Sequence, residues 1–277
     1  MKLGAVAASL VTERTPETMR PENLFAAAQR VGLDEIELPA RGWDEPGSDF
    51  VPRVEALKDR YGIGVHLGFG DRYIEHGDAQ PTEKFAAFVE RVCRPLGVQV
   101  VGTASHLHGG RWLKEPPLDE QLDRLAAALR RLAPVAEQGG VFLAIENHAD
   151  YRGHELAGVL RRVGSRSVGA RLDTGNAYCA IEEPVAAAEA LAPYTLATHI
   201  KDEIVLSEPG NRGLQRGLLA LQDCVLGEGH VDFPAILKLL AEKGPLGDEL
   251  VLTMEVPAAT VAESAGYARS AFADYLR

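Results

Sequence analysis

Short apolar runs alternate with longer amphipathic stretches along the chain. The strands predicted from them lie at 3–8, 35–38, 64–67, 98–101, 143–146, 168–173, 196–199 and 250–255, of which 35–38 alternates Glu with Ile and Leu. Near-continuous apolar runs of this length are expected of parallel strands covered on both faces. Between the runs, apolar residues recur at three- and four-residue steps. Leu118, Leu122, Leu125, Leu129 and Leu132 mark the clearest face, which predicts an amphipathic helix. Further helices are predicted at 21–31, 52–61, 82–96, 155–163, 184–192, 234–243 and 260–276. Pro21 suits a first turn, Thr82 is set as an N-cap, and Gly32 and Gly62 act as stops. The glycine-rich segment 201–231 is predicted as one long loop.

Eight strands alternating with eight helices favour parallel pairing through right-handed crossovers. An open doubly wound sheet would carry a glycine fingerprint after an early strand, and this sequence has none. No linker-like or low-complexity break divides the chain. The expected fold is therefore α/β, a single (β/α)8 TIM barrel over 1–277 with its active site at the carboxyl ends of the strands.

Polar residues that end four late runs carry the candidate chemistry. Leu143-Ala144-Ile145 leads into Glu146, Val168-Gly169-Ala170-Arg171-Leu172 into Asp173, Leu196-Ala197-Thr198 into His199, and Leu250-Val251-Leu252-Thr253-Met254 into Glu255. Glu146 and Asp173 are 27 positions apart and Asp173 and His199 are 26 apart, about one strand–helix unit each. His199 and Glu255 are 56 apart, so an insertion lies between them. In a barrel, all four would converge on one mouth. Singly, each has a plainer reading: Asp173 before Thr174-Gly175-Asn176 suits a helix cap, and a lone core histidine is commonly just hydrogen-bonded. Together they are an oxygen-rich set with one imidazole, suited to a hard or borderline divalent cation.

Charge and cysteine content narrow the classes. The net charge of −11, from 29 basic and 40 acidic residues, argues against a nucleic-acid partner, which calls for a basic surface. Cys93, Cys179 and Cys224 are scattered, with no Cys-x-x-Cys, so a reducing compartment and a cytoplasmic location are expected. No apolar run approaches the roughly 18 residues of a membrane helix, and no membrane partner is expected. Residues 1–11 faintly resemble a secretory leader, but a closed barrel needs them as its first strand.

At this point the motifs become recognisable. Ile36-Glu37-Leu38, Ile145-Glu146-Asn147-His148, Leu172-Asp173-Thr174-Gly175-Asn176, His199-Ile200-Lys201-Asp202, Gly227-Glu228-Gly229 and Met254-Glu255 follow in order on strand ends. With them the chain resembles the xylose isomerase-like TIM-barrel superfamily, in its branch of sugar phosphate isomerases, ketose epimerases and inosose dehydratase-like enzymes. The resemblance implies that Glu146, Asp173, His199 and Glu255 bind one divalent ion, manganese, magnesium, cobalt or zinc. It implies a metal-dependent sugar isomerase or epimerase acting on a small keto-sugar through a metal-stabilised ene-diolate, with Glu146 and Glu255 moving the protons. An inosose-type dehydratase shares the first proton abstraction and is the alternative. An endonuclease IV-like phosphodiesterase shares the barrel, but needs three zinc ions and more histidines than this chain offers.

Supporting positions are expected around that centre. His66, and His106 or His108, are placed at the same mouth to orient a hydroxyl or carry a proton. Glu37 is set to contact substrate or hold a neighbouring side chain. Lys201 is set to neutralise the ene-diolate or to pair with Asp202 or Glu203. Asn176 stands where some ketose 3-epimerases carry a substrate-binding His, and Arg152 where they carry a Glu. Substrate contacts therefore differ from those of free-ketohexose epimerases, and Arg152, with Arg212 and Arg216, is a candidate for a phosphate or carboxylate. The partner expected is a small-molecule sugar; a homo-oligomer is compatible with the sequence and not specified by it.

Overall fold

The computed structural model describes residues 1–70, 80–104, 110–112, 114–208 and 218–277, with the backbone alone at 80–81, 110, 207–208 and 218–219. The barrel strands are β1 (Lys2–Val6), β2 (Glu35–Pro39), β3 (Gly64–Gly68), β4 (Val100–Thr103), β5 (Phe142–Glu146), β6 (Val168–Asp173), β7 (Thr195–His199) and β10 (Val251–Met254). They are hydrogen-bonded in the order β10-β1-β2-β3-β4-β5-β6-β7, every pair parallel. Ile200 closes the ring: its N–H donates to Thr253 O at 2.7 Å and its carbonyl accepts from Glu255 N at 3.0 Å. Chain ends meet beneath β1, where the N-terminal ammonium donates to Tyr275 O and Arg277 N–H donates to Met1 O.

Helices wrap this ring with their apolar stripes inward. In α4 (Leu118–Gly139), Leu125, Leu129, Leu132 and Ala136 are fully buried, and each leucine contributes about 1.5–3 kcal/mol by leaving water. Gly32, Gly62 and Gly140 end three helices in the left-handed conformation that favours glycine. Three expectations change. The helix after β3 begins at Gln80, with Pro81 in its first turn, so Thr82 lies inside it and is not its N-cap. The last helix, α9 (Val261–Ala271), stops short of Leu276 because Phe272 folds into the core.

The third correction concerns 201–231, which holds an antiparallel hairpin. Strand β8 (Glu203–Glu208) pairs with β9 (Leu218–Asp223) from Glu203↔Asp223 to Glu208↔Leu218. Both strands carry apolar residues that the glycine count obscured. The Asp202 carboxylate anchors the base by accepting N–H groups of Gly227, Gly229 and Val231 at 2.8–3.1 Å. A Cβ at Gly229 would overlap that carboxylate.

Alternate strand positions point into the barrel, and they stack in layers. At the lower end, Glu35 accepts from Lys2 and pairs with His66. Above lie Val100, Ala144, Leu196 and Ala197, a small apolar plug. The next inward positions are Gly102 on β4, 146 on β5, 171 and 173 on β6 and 199 on β7, so polar side chains lie directly above the plug, with the Arg171 guanidinium passing over Gly102.

Candidate active site

Glu146, Asp173 and His199 end β5, β6 and β7, and Glu255 directly follows β10. One donor atom from each lies within 4.8 Å of the others, the single such group among the described residues. Asp173 resolves the choice between cap and ligand by doing both. Its Oδ1 accepts from the N–H groups of Gly175 and Asn176, each at 2.9 Å. Its Oδ2 is buried, has no hydrogen bond, and faces the cluster. The Asn147 amide clips β5 to β6, donating to Asp173 O and accepting from Asp173 N. Burial pushes the Asp173 carboxyl up to about 7, with Lys201 opposing and Glu146 and Glu255 adding to the rise.

His199 is oriented from behind. Its Nε2 lies 3.0 Å from Glu37 Oε2. Burial works against the charged form of Glu37, but Arg171 and His199 prevail and hold it down to about 2. An ionised Glu37 can only accept, so Nε2 carries a proton; burial and Arg171 oppose the charged imidazole, but Glu37 and Glu146 prevail and raise its pKa well above the ordinary value. Nδ1 is thereby turned to the cluster, 3.0 Å from Glu255 Oε2 and 3.7 Å from Glu146 Oε2. It also makes no hydrogen bond. Asp173 Oδ2 and His199 Nδ1 thus face each other at 3.8 Å without hydrogen bonds, each beside a charged group, Lys201 Nζ at 3.3 Å from the first and Glu255 Oε2 at 3.0 Å from the second. Three carboxylates and one imidazole converging within 4.8 Å are a donor set that fits a divalent cation. The carboxylate–histidine relay is the arrangement by which outer groups commonly tune a metal site. Replacing Glu37 with Gln should therefore weaken cation binding about 10–100-fold, measurable by competition with a chelating dye; unchanged affinity would remove Glu37 from this role.

Arg171 is the functional residue that the strand pattern concealed. Its Nη1 donates to Glu37 Oε1 at 2.7 Å, and its Nη2 to Glu146 Oε2 and to Thr103 O. One guanidinium thus joins β2, β4 and β5 under the cluster. It passes over Gly102, where a Cβ would overlap it. The signal was available: an arginine in a run read as buried needs partners, and position 171 shares the inward face with Asp173. Burial opposes the charge on Arg171, but Glu146 and Glu37 outweigh it and raise its pKa. Likewise, burial disfavours ionised Glu146, and Arg171 with His199 holds it well below the usual carboxylate range.

Lys201 does enter the centre. Its Nζ lies 3.3 Å from Asp173 Oδ2 and 3.4 Å from Glu255 Oε2, whereas Asp202 is occupied by backbone N–H groups. Asn176 lies just below, donating to Glu146 Oε1 at 2.9 Å and accepting from Lys201 Nζ at 3.4 Å. A cavity of about 340 Å³ opens above, with Glu37, Arg171, His199 and Glu255 at its floor, Met19 and Phe69 on its walls, and Arg14 and Arg41 also lining it. The two glutamates differ here. The Glu255 side chain is 37% exposed and reaches the cavity; that of Glu146 is 3% exposed and does not line it.

Other expected residues lie elsewhere. His66 stands beside Glu37 in the β2–β3 register, but its side chain turns to the amino-terminal end of the barrel, with its Nε2 3.0 Å from Glu35 Oε2. Arg152 caps the helix α5 (Gly153–Val163), and its Nε donates to Ala180 O. His106, His108, Arg212 and Arg216 lie outside the described residues. His230 of Gly-Glu-Gly-His accepts from Val205 N, a hairpin contact. Trp43 is buried against Phe88.

A parallel eightfold barrel with a carboxylate–histidine cluster at its carboxyl mouth defines a class of enzyme scaffold. The family xylose isomerase-like TIM barrel matches residues 25–273, and the chain belongs to it. The 3-oxo-isoapionate decarboxylase of Pectobacterium atrosepticum is 30% identical over 188 residues, covering 66% of this chain and 60% of that protein. The chain spans 60% or less of the curated relatives it matches. Among solved structures, D-psicose 3-epimerase from Clostridium cellulolyticum H10 superposes with a TM-score of 0.73 at 17% identity, covering 100% of both chains. The IOLI protein with a bound zinc atom superposes at 0.67 with 20% identity, covering 100% of this chain and 98% of that one. At such identities the likeness is one of fold. Among the described residues, no helix is long and apolar enough to cross a membrane.

Proposed function

We propose that the protein is a divalent-metal-dependent sugar isomerase or epimerase acting on a small keto-sugar or a derivative of one. The observation that carries this is the cluster of Glu146, Asp173, His199 and Glu255 under a cavity of about 340 Å³. A cation held there supplies Lewis acidity, polarising a substrate carbonyl and acidifying the neighbouring C–H. Glu255 is placed to take that proton, since its carboxylate reaches the cavity. Lys201, beside Glu255, offers positive charge to a developing oxyanion. For epimerisation, the candidate second proton carrier is Glu146, which lies beneath the cavity floor and does not line it. Asn176 and Arg171 hold it there. The wall formed by Met19 and Phe69 suits the apolar face of a sugar.

A second reading is a decarboxylase acting on a keto-acid derived from a sugar. Two observations favour it. The relative at 30% identity carries that activity in its name. Decarboxylation also abstracts no proton from carbon, so it needs no pair of glutamates on opposite faces of the substrate, and Glu255 is the one glutamate of the cluster that lines the cavity.

The test has two arms. Elemental analysis of protein purified without chelator should find one divalent ion per chain; three would favour the phosphodiesterase class, and none after reconstitution would sink the metal-enzyme reading. A panel of keto-sugars and keto-acids in deuterated water then separates the reactions. Deuterium beside the carbonyl with the carbon skeleton intact favours isomerase or epimerase. Release of CO2 favours the decarboxylase, and an unsaturated or deoxy-keto product the dehydratase.

A further inference from the structure

We propose that Arg14 and Arg41 form a subsite for an anionic group of the substrate, so that the natural substrate is a keto-sugar acid or phosphate and not a neutral sugar. The claim rests on the reading above and names the substrate class of that same site. Arg14 lies between β1 and the helix that begins at Pro21, and Arg41 follows β2 directly. Both line the cavity whose floor is made by His199 and Glu255. Both are exposed, and neither side chain has a hydrogen bond or ion pair among the described residues, whereas Arg53 is held by Glu22 and Asp49.

Charge balance gives the pair its meaning. The floor and the cluster below it hold four carboxylates, Glu37, Glu146, Asp173 and Glu255. Arg171, Lys201 and the two charges of a divalent cation match them. Arg14 and Arg41 are therefore surplus positive charge on a cavity that is otherwise neutral, in a chain of net charge −11. An arginine fork recognises planar oxyanions by paired hydrogen bonds. Arg41 also borders an adjoining cavity of about 350 Å³ that Glu45, Asp49 and Arg53 line as well, so the anion is placed on the side of Arg41 that faces Arg14, in the cavity that holds Glu255.

Calorimetric titration of metal-loaded protein with three probes tests this: D-fructose, 5-keto-D-gluconate and D-fructose 6-phosphate. At least one anionic probe should bind about tenfold more tightly than D-fructose, the scale of one charge-assisted hydrogen bond, and the gap should shrink with added salt. Which anion is preferred distinguishes carboxylate from phosphate. The gap should narrow in Arg14→Gln or Arg41→Gln and close in the double variant. In Arg131→Gln, an exposed arginine on α4, it should stay. Equal binding of all three probes, or a preference that survives the double variant, overturns the subsite. Deuterium exchange beside the carbonyl is read separately. Exchange without anion preference overturns the subsite alone; arginine-dependent preference without exchange keeps the subsite and overturns the isomerase reading.

Discussion

Replacing Glu255 with Gln should lower turnover by about 10²–10⁴-fold, the range for loss of a general acid–base group, while the protein still binds a cation. The amide keeps the size of the side chain and one oxygen, and Glu146, Asp173 and His199 remain. Burial disfavours the charged form of Glu255, yet His199 and Lys201 hold its pKa well below the ordinary value, so the carboxylate enters the cavity ionised. Glu146→Gln should behave differently. Its carboxylate lies under the cluster on Arg171 and Asn176, so the swap should weaken cation binding and stability along with turnover. Metal stoichiometry, turnover and proton exchange from each pure epimer separate the two. Near-normal turnover of Glu255→Gln with the cation bound would end its assignment as the proton carrier and pass that role to Lys201 or to a histidine.

The largest effect on stability should come from Arg171. Arg171→Met leaves Glu37 and Glu146 as buried carboxylates without their shared guanidinium. Breaking a buried pair from one side costs about 3–5 kcal/mol. Chemical denaturation of the cation-free protein should show that loss. Saturating cation should recover part of it, because Glu146 then has another positive partner. Arg171→Lys should not restore the wild type, since an ammonium cannot span Glu37 and Glu146 as the planar fork does. Combining Arg171→Met with Glu37→Gln should cost less than the two changes added, because they share one network. A loss under 1 kcal/mol for Arg171→Met, or full additivity, would show that the guanidinium does not organise the site.

Much of the barrel was legible in the chain. Runs such as 143–145 and 251–254 are parallel strands because both their faces are covered and near-continuous apolarity follows. The leucine face from Leu118 to Leu132 could only be a helix. The hairpin β8–β9 escaped because glycine counting outweighed the apolar residues between the glycines. The helix ahead of Leu96 starts before Thr82 because Pro81 already suits its first turn.

At the site, the sequence by itself determined which residues stand at the ends of β5, β6, β7 and β10, since a polar residue closing an apolar run marks where a strand leaves the sheet. Tertiary structure decided what each end does. Asp173 divides its two oxygens between a cap and the cluster, a matter of the side chain's direction. Glu255 reaches the cavity and Glu146 does not, through a difference in depth that strand position does not encode. His66 and Glu37 pair across β2 and β3, yet one imidazole turns down to Glu35 and the other carboxylate up to His199. Arg171 has its meaning only because Glu37 and Glu146, 109 residues apart in sequence, come within reach of one guanidinium. Spacing along a strand sets the face a residue occupies; the layer it reaches, and its partner there, depend on strands that meet only when the barrel closes.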